Sequence, residues 1–366
     1  MLPFLIGIIL IRPFISGIAY PYADLAFTAL TIAVLLLALI NKKPDPSRFN
    51  SVVYPSAVFI AGIGFSLVSS ADIAASTIEL FKFIPCILVL LVAASLNGQE
   101  RKTVLFAIMC SAVVICGTAI YQRLFGFGRL AGYMADTQTA GPVALNYLLA
   151  KRVFFPFVTP NALAGYCAMA LPLCLCEKRF YWIAAPLTVV LLLAQSLGAL
   201  LGLALGIYLC MLILSRKTAA WQISLVSGAL ALFAVIFLLR IFGKSLDTAA
   251  PGLLRLEYWR NALTVIQAHW LFGAGIGNMH LRSSMHAHNI FLQIWAETGV
   301  LGLGGFIWLC AAVLRAGART YSEKKDLPAA LLICSCLVFL FHNLFDFTFF
   351  LPEASFLWWL LMGLLL

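Results

Sequence analysis

The chain is a succession of apolar runs, most of them about as long as a helix needs to cross the ~30 Å hydrocarbon core of a bilayer. The runs lie at 2–20, 23–40, 52–70 and 77–96, up to Tyr121, from Pro160-Asn161 to Glu177-Lys178-Arg179, at 181–196 and 198–215, up to Arg240, from His288 onward, and at 328–345 and 351–366. With 63% hydrophobic and 10% charged residues and a mean hydropathy of +1.02, a water-soluble globule could not bury its apolar surface. The pattern predicts an all-α fold, a polytopic membrane helical bundle of about twelve transmembrane helices. A single integral-membrane domain over 1–366 is expected, with no soluble domain at either end. The first run has neither a basic start nor a small-residue cleavage site, so it reads as a span rather than a signal peptide.

Charge orients the bundle. Lys42-Lys43, Arg101-Lys102, Lys178-Arg179, Arg216-Lys217 and the group Arg315, Arg319, Lys324 and Lys325 all fall on one side of a twelve-span arrangement. That side is the cytoplasm by the positive-inside rule, which places both termini inside and the long segments 122–159 and 241–287 outside. The net charge of +10 follows from this topology, not from nucleic-acid binding. The external segments are nonetheless basic: the first carries Arg123, Arg129, Lys151 and Arg152 against one acid, Asp136. Such residues either attract the headgroups of membrane lipids or clamp a phosphate or diphosphate at the outer surface, where a planar guanidinium matches phosphate oxygens. His269, His280, His286, His288 and His342 all lie in or after the second long segment. Cations and general-base candidates therefore meet on one face. The ten cysteines sit within apolar runs with no Cys-x-x-Cys, and read as packing residues rather than a disulfide framework.

His288-Asn289 runs straight into an apolar stretch carrying one carboxylate, Glu297. On a continuous helix, Leu292, Trp295, Gly299, Gly302 and Phe306 fall on the same side as His288, and the glycines would admit a neighbouring helix closely. Glu297 then points about 180° from His288 and reads as bonded to a structural partner. An interfacial histidine over a packing face and a catalytic imidazole are both compatible with this pattern.

The same region resembles a known family. Arg255-Leu-Glu-Tyr-Trp259 is similar to an Arg-x3-Trp segment, Leu271-Phe-Gly-Ala-Gly-Ile-Gly277 to a glycine-rich turn, and His288-Asn289 followed after nine residues by Gly299-Val-Leu-Gly302 to a His-Asn-x9-Gly-x-x-Gly signature. Pro160-Asn161-Ala-Leu-Ala164 resembles a Pro-Asn-x-x-Ala motif, and His342 and Asp346 fit the penultimate span. These residues resemble the O-antigen ligases and related O-antigen polymerases, integral-membrane glycosyltransferases. The signature region is 255–305, and the first 120 residues agree only in hydropathy. One departure stands out: where family members often have Ser-Arg-Gly, with the Arg serving the phosphates, this chain has Ser196-Leu197-Gly198.

The resemblance implies transfer of a glycan from an undecaprenyl-diphosphate carrier to an acceptor hydroxyl at the periplasmic face of the bacterial inner membrane. It points first to O-antigen ligation onto lipid A core in lipopolysaccharide biosynthesis; a polymerase of O-antigen or exopolysaccharide, or a protein O-oligosaccharyltransferase, shares the motifs. The partners implied are the lipid-linked glycan donor and a glycan or lipid A core acceptor. Diphosphate is a good leaving group, so the reaction needs a base for the hydroxyl and positive charge for the phosphates. His288 is the expected base, and Arg255, with Arg152 and Arg260, the expected diphosphate-binding group. Asn289, His286, His342, Asp346 and Asn161 are supporting residues. No cofactor and no metal is expected. A metal held by His280, His286 and His288 lacks a carboxylate or cysteine to complete it. Gly273-x-Gly275-x-Gly277 follows no strand, so its glycines read as turn residues rather than a nucleotide loop. The competing class is a transporter or flippase of an anionic lipid-linked substrate, which would show broken helices at matching places in two halves; no internal repeat is evident, and Glu79 and Lys82 are the exception to a lack of deep charges.

Overall fold

A computed structural model describes residues 2–42, 46–137, 147–214, 251–279, 284 and 286–366. Among them every regular element is helical. The elements are α1 (Leu2–Ile11), α2 (Pro21–Asn41), α3 (Pro46–Ser66), α4 (Ile73–Ala94), α5 (Gly98–Tyr121), α6 (Phe127–Thr137), α7 (Pro160–Ala170), α8 (Ala184–Ala194), α9 (Leu197–Leu214), α10 (Pro251–His269), α11 (Ile290–Lys324), α12 (Leu327–His342) and α13 (Pro352–Leu364). Among the described residues five helices are long and apolar enough to cross a membrane: α2, α3, α4, α5 with its continuation, and α11. The helices at Leu2–Phe14, Pro160–Leu175, Leu197–Leu212 and Leu327–His342 are apolar but shorter. The expected ninth span, Arg216-Lys217, Lys43 and His280 lie outside the described residues.

The helix starts follow local chemistry. Asn97 caps α5 with a reciprocal bond to Glu100, Thr159 caps α7 ahead of Pro160, and Asn289 caps α11. The chain does not leave the helix at Tyr121. A π-helical turn over Gln122–Gly126 carries α5 into α6, so helix extends well into the segment read as the first external loop. The second such segment likewise contains α10.

Two glycine-lined contacts set the packing. Gly302 and Gly305 of α11 lie against α3 at Gly62 and Phe59, where a Cβ on Gly305 would come within 2.5 Å of the Phe59 amide nitrogen. Gly202 and Gly206 of α9 lie against α12, where a Cβ on Gly202 would sit 2.8 Å from the His342 nitrogen. Beside these contacts the interior is filled by aromatic rings: Phe306, Phe349, Trp358 and Trp359 meet with centroids 5.0–6.1 Å apart. All ten cysteines are free, and most are buried.

The expected continuous face from His288 down α11 does not form. His288 has φ 52° and stands outside the helix, which begins at Ile290. Gly299 then breaks the helix with φ 66° and ψ −171°, a conformation open to glycine because it has no Cβ. A break in lipid leaves backbone groups without partners. Here the glycine-rich turn supplies them: the amides of Ala274 and Gly275 donate to the carbonyls of Ala296 (2.8 Å) and Glu297 (3.1 Å), and the Val300 amide donates to the Trp270 carbonyl (3.0 Å). Gly273, Gly275 and Gly277 all have positive φ, so they are turn glycines in fact. The turn is also stitched to the α3–α4 connection and the start of α4, where Asn278 Nδ2 donates to Ser70 Oγ (2.6 Å) and Ser76 Oγ (2.7 Å).

Candidate active site

The site forms where the start of α11 meets the loop after α12. The Ile290 amide donates to the Asn343 carbonyl (2.9 Å) and Asn289 Nδ2 to the Leu344 carbonyl (3.3 Å). Asn289 Oδ1 meanwhile accepts from the amides of Phe291 and Leu292. Asn289 therefore does two jobs, capping the helix and fastening the histidine segment to the α12 loop. His288, held in the left-handed region, lies between two rings: it stacks on Tyr258 of α10 (centroids 5.4 Å, 20°) and meets Phe347 edge-on (5.0 Å, 82°). Its Nδ1 is buried and has no hydrogen-bond partner among the described residues.

The α12 loop brings a polar network beside it. Asp346 is buried, with Oδ2 accepting from Asn161 Nδ2 (2.7 Å) and Oδ1 from the Thr348 hydroxyl (2.6 Å). That hydroxyl has one proton, which goes to Asp346, so it accepts from His342 Nε2 (3.2 Å). Asn161 Oδ1 accepts from Arg152 Nη2 (3.1 Å), and Arg152 Nε donates to the Ala194 carbonyl (3.0 Å). Arg152 is thus docked on the end of α8, immediately before Ser196-Leu197-Gly198. His342 packs against Gly165 of α7 and Gly198 of α9.

Electrostatics tie the groups together. Burial lowers the His288 imidazole from its ordinary value; the Asp346 carboxylate works against this and Arg255 adds to it. Burial of Asp346 opposes its ionisation, but His342, His288, the Thr348 hydroxyl and Arg255 outweigh it and hold the carboxyl below the usual range. Arg255 and Tyr258, three apart on α10, share a face toward the site, whereas Arg260 is exposed about 140° around the helix. Arg260 makes no contact with these groups among the described residues. The structure therefore brings together Arg152, Asn161, Arg255, His286, His288, Asn289, His342 and Asp346, and leaves Arg260 outside. Glu297 is buried and accepts from Gln293 Nε2 (3.0 Å), whose other neighbour is His286 Nδ1 (2.9 Å). It is linked to the histidine segment after all, through an amide one helical turn above it. Among the described residues no three His, Cys, Asp or Glu side chains converge to hold a metal.

Sequence reading missed Tyr258, Gln293, Phe347 and Thr348. Only Tyr258 carried a signal, lying inside the Arg-x3-Trp segment. The four-residue spacing of Gly198, Gly202 and Gly206 was a readable sign of the α9–α12 contact.

Among the described residues, then, the helices are apolar, five of them are long enough to cross a membrane, and a histidine, a carboxylate and arginines gather at helix ends. Residues 182–307 match the family model described as O-antigen ligase. The match runs from α8 into α11, about a third of the chain, and includes Arg255, His288 and the glycine-rich turn. It supports an O-antigen ligase-related family and glycosyl transfer of the ligase or polymerase type in general. No curated protein matches the chain.

Proposed function

We propose that the protein transfers a glycan from an undecaprenyl-diphosphate carrier to an acceptor hydroxyl at the periplasmic face of the bacterial inner membrane, most directly an O-antigen to lipid A core. The observation that carries this reading is the convergence of His288, Arg255 and the Arg152–Asn161–Asp346 chain at one set of helix ends. His288, kept neutral by burial, takes the acceptor proton, and the ionised Asp346 stabilises the imidazolium that results. Arg255 and Arg152 face the departing diphosphate. Arg152 answers the absence of a cation at Leu197: it arrives from the preceding loop and is held at Ala194, three residues away in sequence. A metal has no part in these steps.

Reconstitution with a lipid-diphosphate glycan and candidate acceptors tests the reading. His288→Gln keeps hydrogen bonding but cannot accept a proton, and is expected to lower the transfer rate by roughly 10²–10⁴-fold while donor binding persists. EDTA is expected to leave the rate unchanged. Restoration of an EDTA-stopped reaction by zinc or manganese would make the imidazoles ligands and overturn the assignment.

A further inference from the structure

Gln293 decides which nitrogen of His286 carries the proton. The Ala287 amide donates to Gln293 Oε1 (3.2 Å), which fixes the orientation of the side-chain amide. The NH₂ group is then left facing Glu297 Oε1 (3.0 Å) and His286 Nδ1 (2.9 Å). An amide NH₂ has two protons to give and accepts none, so His286 Nδ1 must present its lone pair. The neutral ring therefore carries its proton on Nε2.

The ring's surroundings say what that proton is for. His286 lies parallel to Phe347 (centroids 4.5 Å, 9°) and near-parallel to Phe350 (5.9 Å, 22°), and His288 touches the edge of the same Phe347. Both imidazoles thus border one aromatic surface. A neutral N–H beside apolar rings suits an uncharged oxygen on a molecule that also has C–H faces, which is the chemistry of a sugar. Burial pushes His286 down to about 4, with His288 and Lys82 adding to the effect and Asp346 opposing it. Glu297 stands behind the Gln293 amide. Near neutral pH the ring has no charge with which to compete for the diphosphate.

We propose that His286 is a fixed hydrogen-bond donor whose Nε2–H binds an uncharged oxygen of the sugar substrate and holds it beside His288. The substrate half of this inference rests on the glycosyl-transfer reading; the tautomer does not. The test begins with ¹⁵N-histidine NMR of the full chain in lipid nanodiscs, the His286 signals assigned by their loss in His286→Gln. The expected result is an Nε2–H tautomer unchanged from about pH 8 to about pH 5. An Nδ1–H tautomer, or titration near the ordinary histidine value of about 6.5, overturns the proposal. In the transfer assay, His286→Leu is expected to raise KM for one sugar substrate roughly 5–10-fold, the worth of one neutral hydrogen bond, with kcat nearly unchanged. His286→Gln, which retains an N–H donor, is expected to recover most of that KM. Unchanged KM for both substrates in His286→Leu overturns the donor role even where the tautomer is as expected. Absence of transfer by the unaltered protein would instead sink the glycosyl-transfer reading, and the sugar contact with it, while the NMR result stands.

Discussion

His288 sits between two opposing charges, and this makes its role separable from mere packing. Asp346 raises its proton affinity and Arg255 lowers it, on top of the lowering by burial. In the proposed reaction the base form is the deprotonated one, so activity is expected to be lost as pH falls through the folded value, which lies below the ordinary ~6.5. Asp346→Asn is therefore expected to move the acid limb of kcat/KM to lower pH, and Arg255→Ala to move it to higher pH. Both variants should lose rate, but opposite displacements are the signature; displacement in one direction for both would mean that His288 is not the group being titrated. His288-Asn289 was legible as a polar doublet ahead of an apolar run, whereas Asn161 and Asp346 were picked out by the family resemblance. Gln293 and Phe347 were not, because an amide and a phenyl ring acquire meaning here only through contacts formed by folding, with Phe347 reaching 61 and 59 positions back to His286 and His288.

At the scale of the element, α11 shows why periodicity alone misplaced the histidine. A helix apolar on nearly every side offers no phase, so nothing in the run from Ile290 announces that its first nine residues and the remainder are separate pieces. The positive φ at His288 and the break at Gly299 are decided by bonds from elsewhere: the α12 loop at one, the glycine-rich turn at the other. Of the two glycines read as packing positions, Gly302 does lie against α3, while Gly299 makes the break instead. Neighbouring positions give a controlled test. Gly305→Ala places a Cβ 2.5 Å from the Phe59 backbone and is expected to cost about 1–3 kcal/mol, seen as a lower melting temperature in detergent. Gly304→Ala meets nothing within 4 Å and is expected to be neutral or stabilising by up to about 1 kcal/mol. Equal destabilisation by the two would remove the α3–α11 contact as the cause.

For the whole molecule, hydropathy located most helices because runs of apolar residues of span length have few other uses. It ended α5 too early, since the charged and glycine-containing segment after Tyr121 reads as a loop although helix continues to Thr137. Sidedness is the property that charge alone proposes. With the two partly exposed thiols Cys110 and Cys176 replaced by Ser, Gln267→Cys on α10 is expected to react with an impermeant maleimide added outside intact cells. Lys102→Cys at the start of α5 is expected to react only after permeabilisation. The reverse pattern would put the site on the cytoplasmic face, away from a lipid-linked donor on the outer leaflet.

The bonds that hold Asp346 carry one more consequence. Both of its oxygens are engaged, one by Asn161 and the other by Thr348, so it is a fixed negative charge rather than a group free to attack carbon. Tyr258 covers a face of His288 and its Nδ1 is buried, which leaves Nε2 as the edge through which the base can work. Among the described residues the site offers one base edge and an engaged carboxylate, so in the proposed transfer a single displacement is expected, with the acceptor oxygen entering opposite the departing phosphate. The glycosidic bond in the product is then expected to have the anomeric configuration opposite to that of the donor's sugar–phosphate bond. The ¹H–¹H coupling at the anomeric position of the isolated product reads this directly, and retention would require a covalent intermediate that this arrangement does not provide.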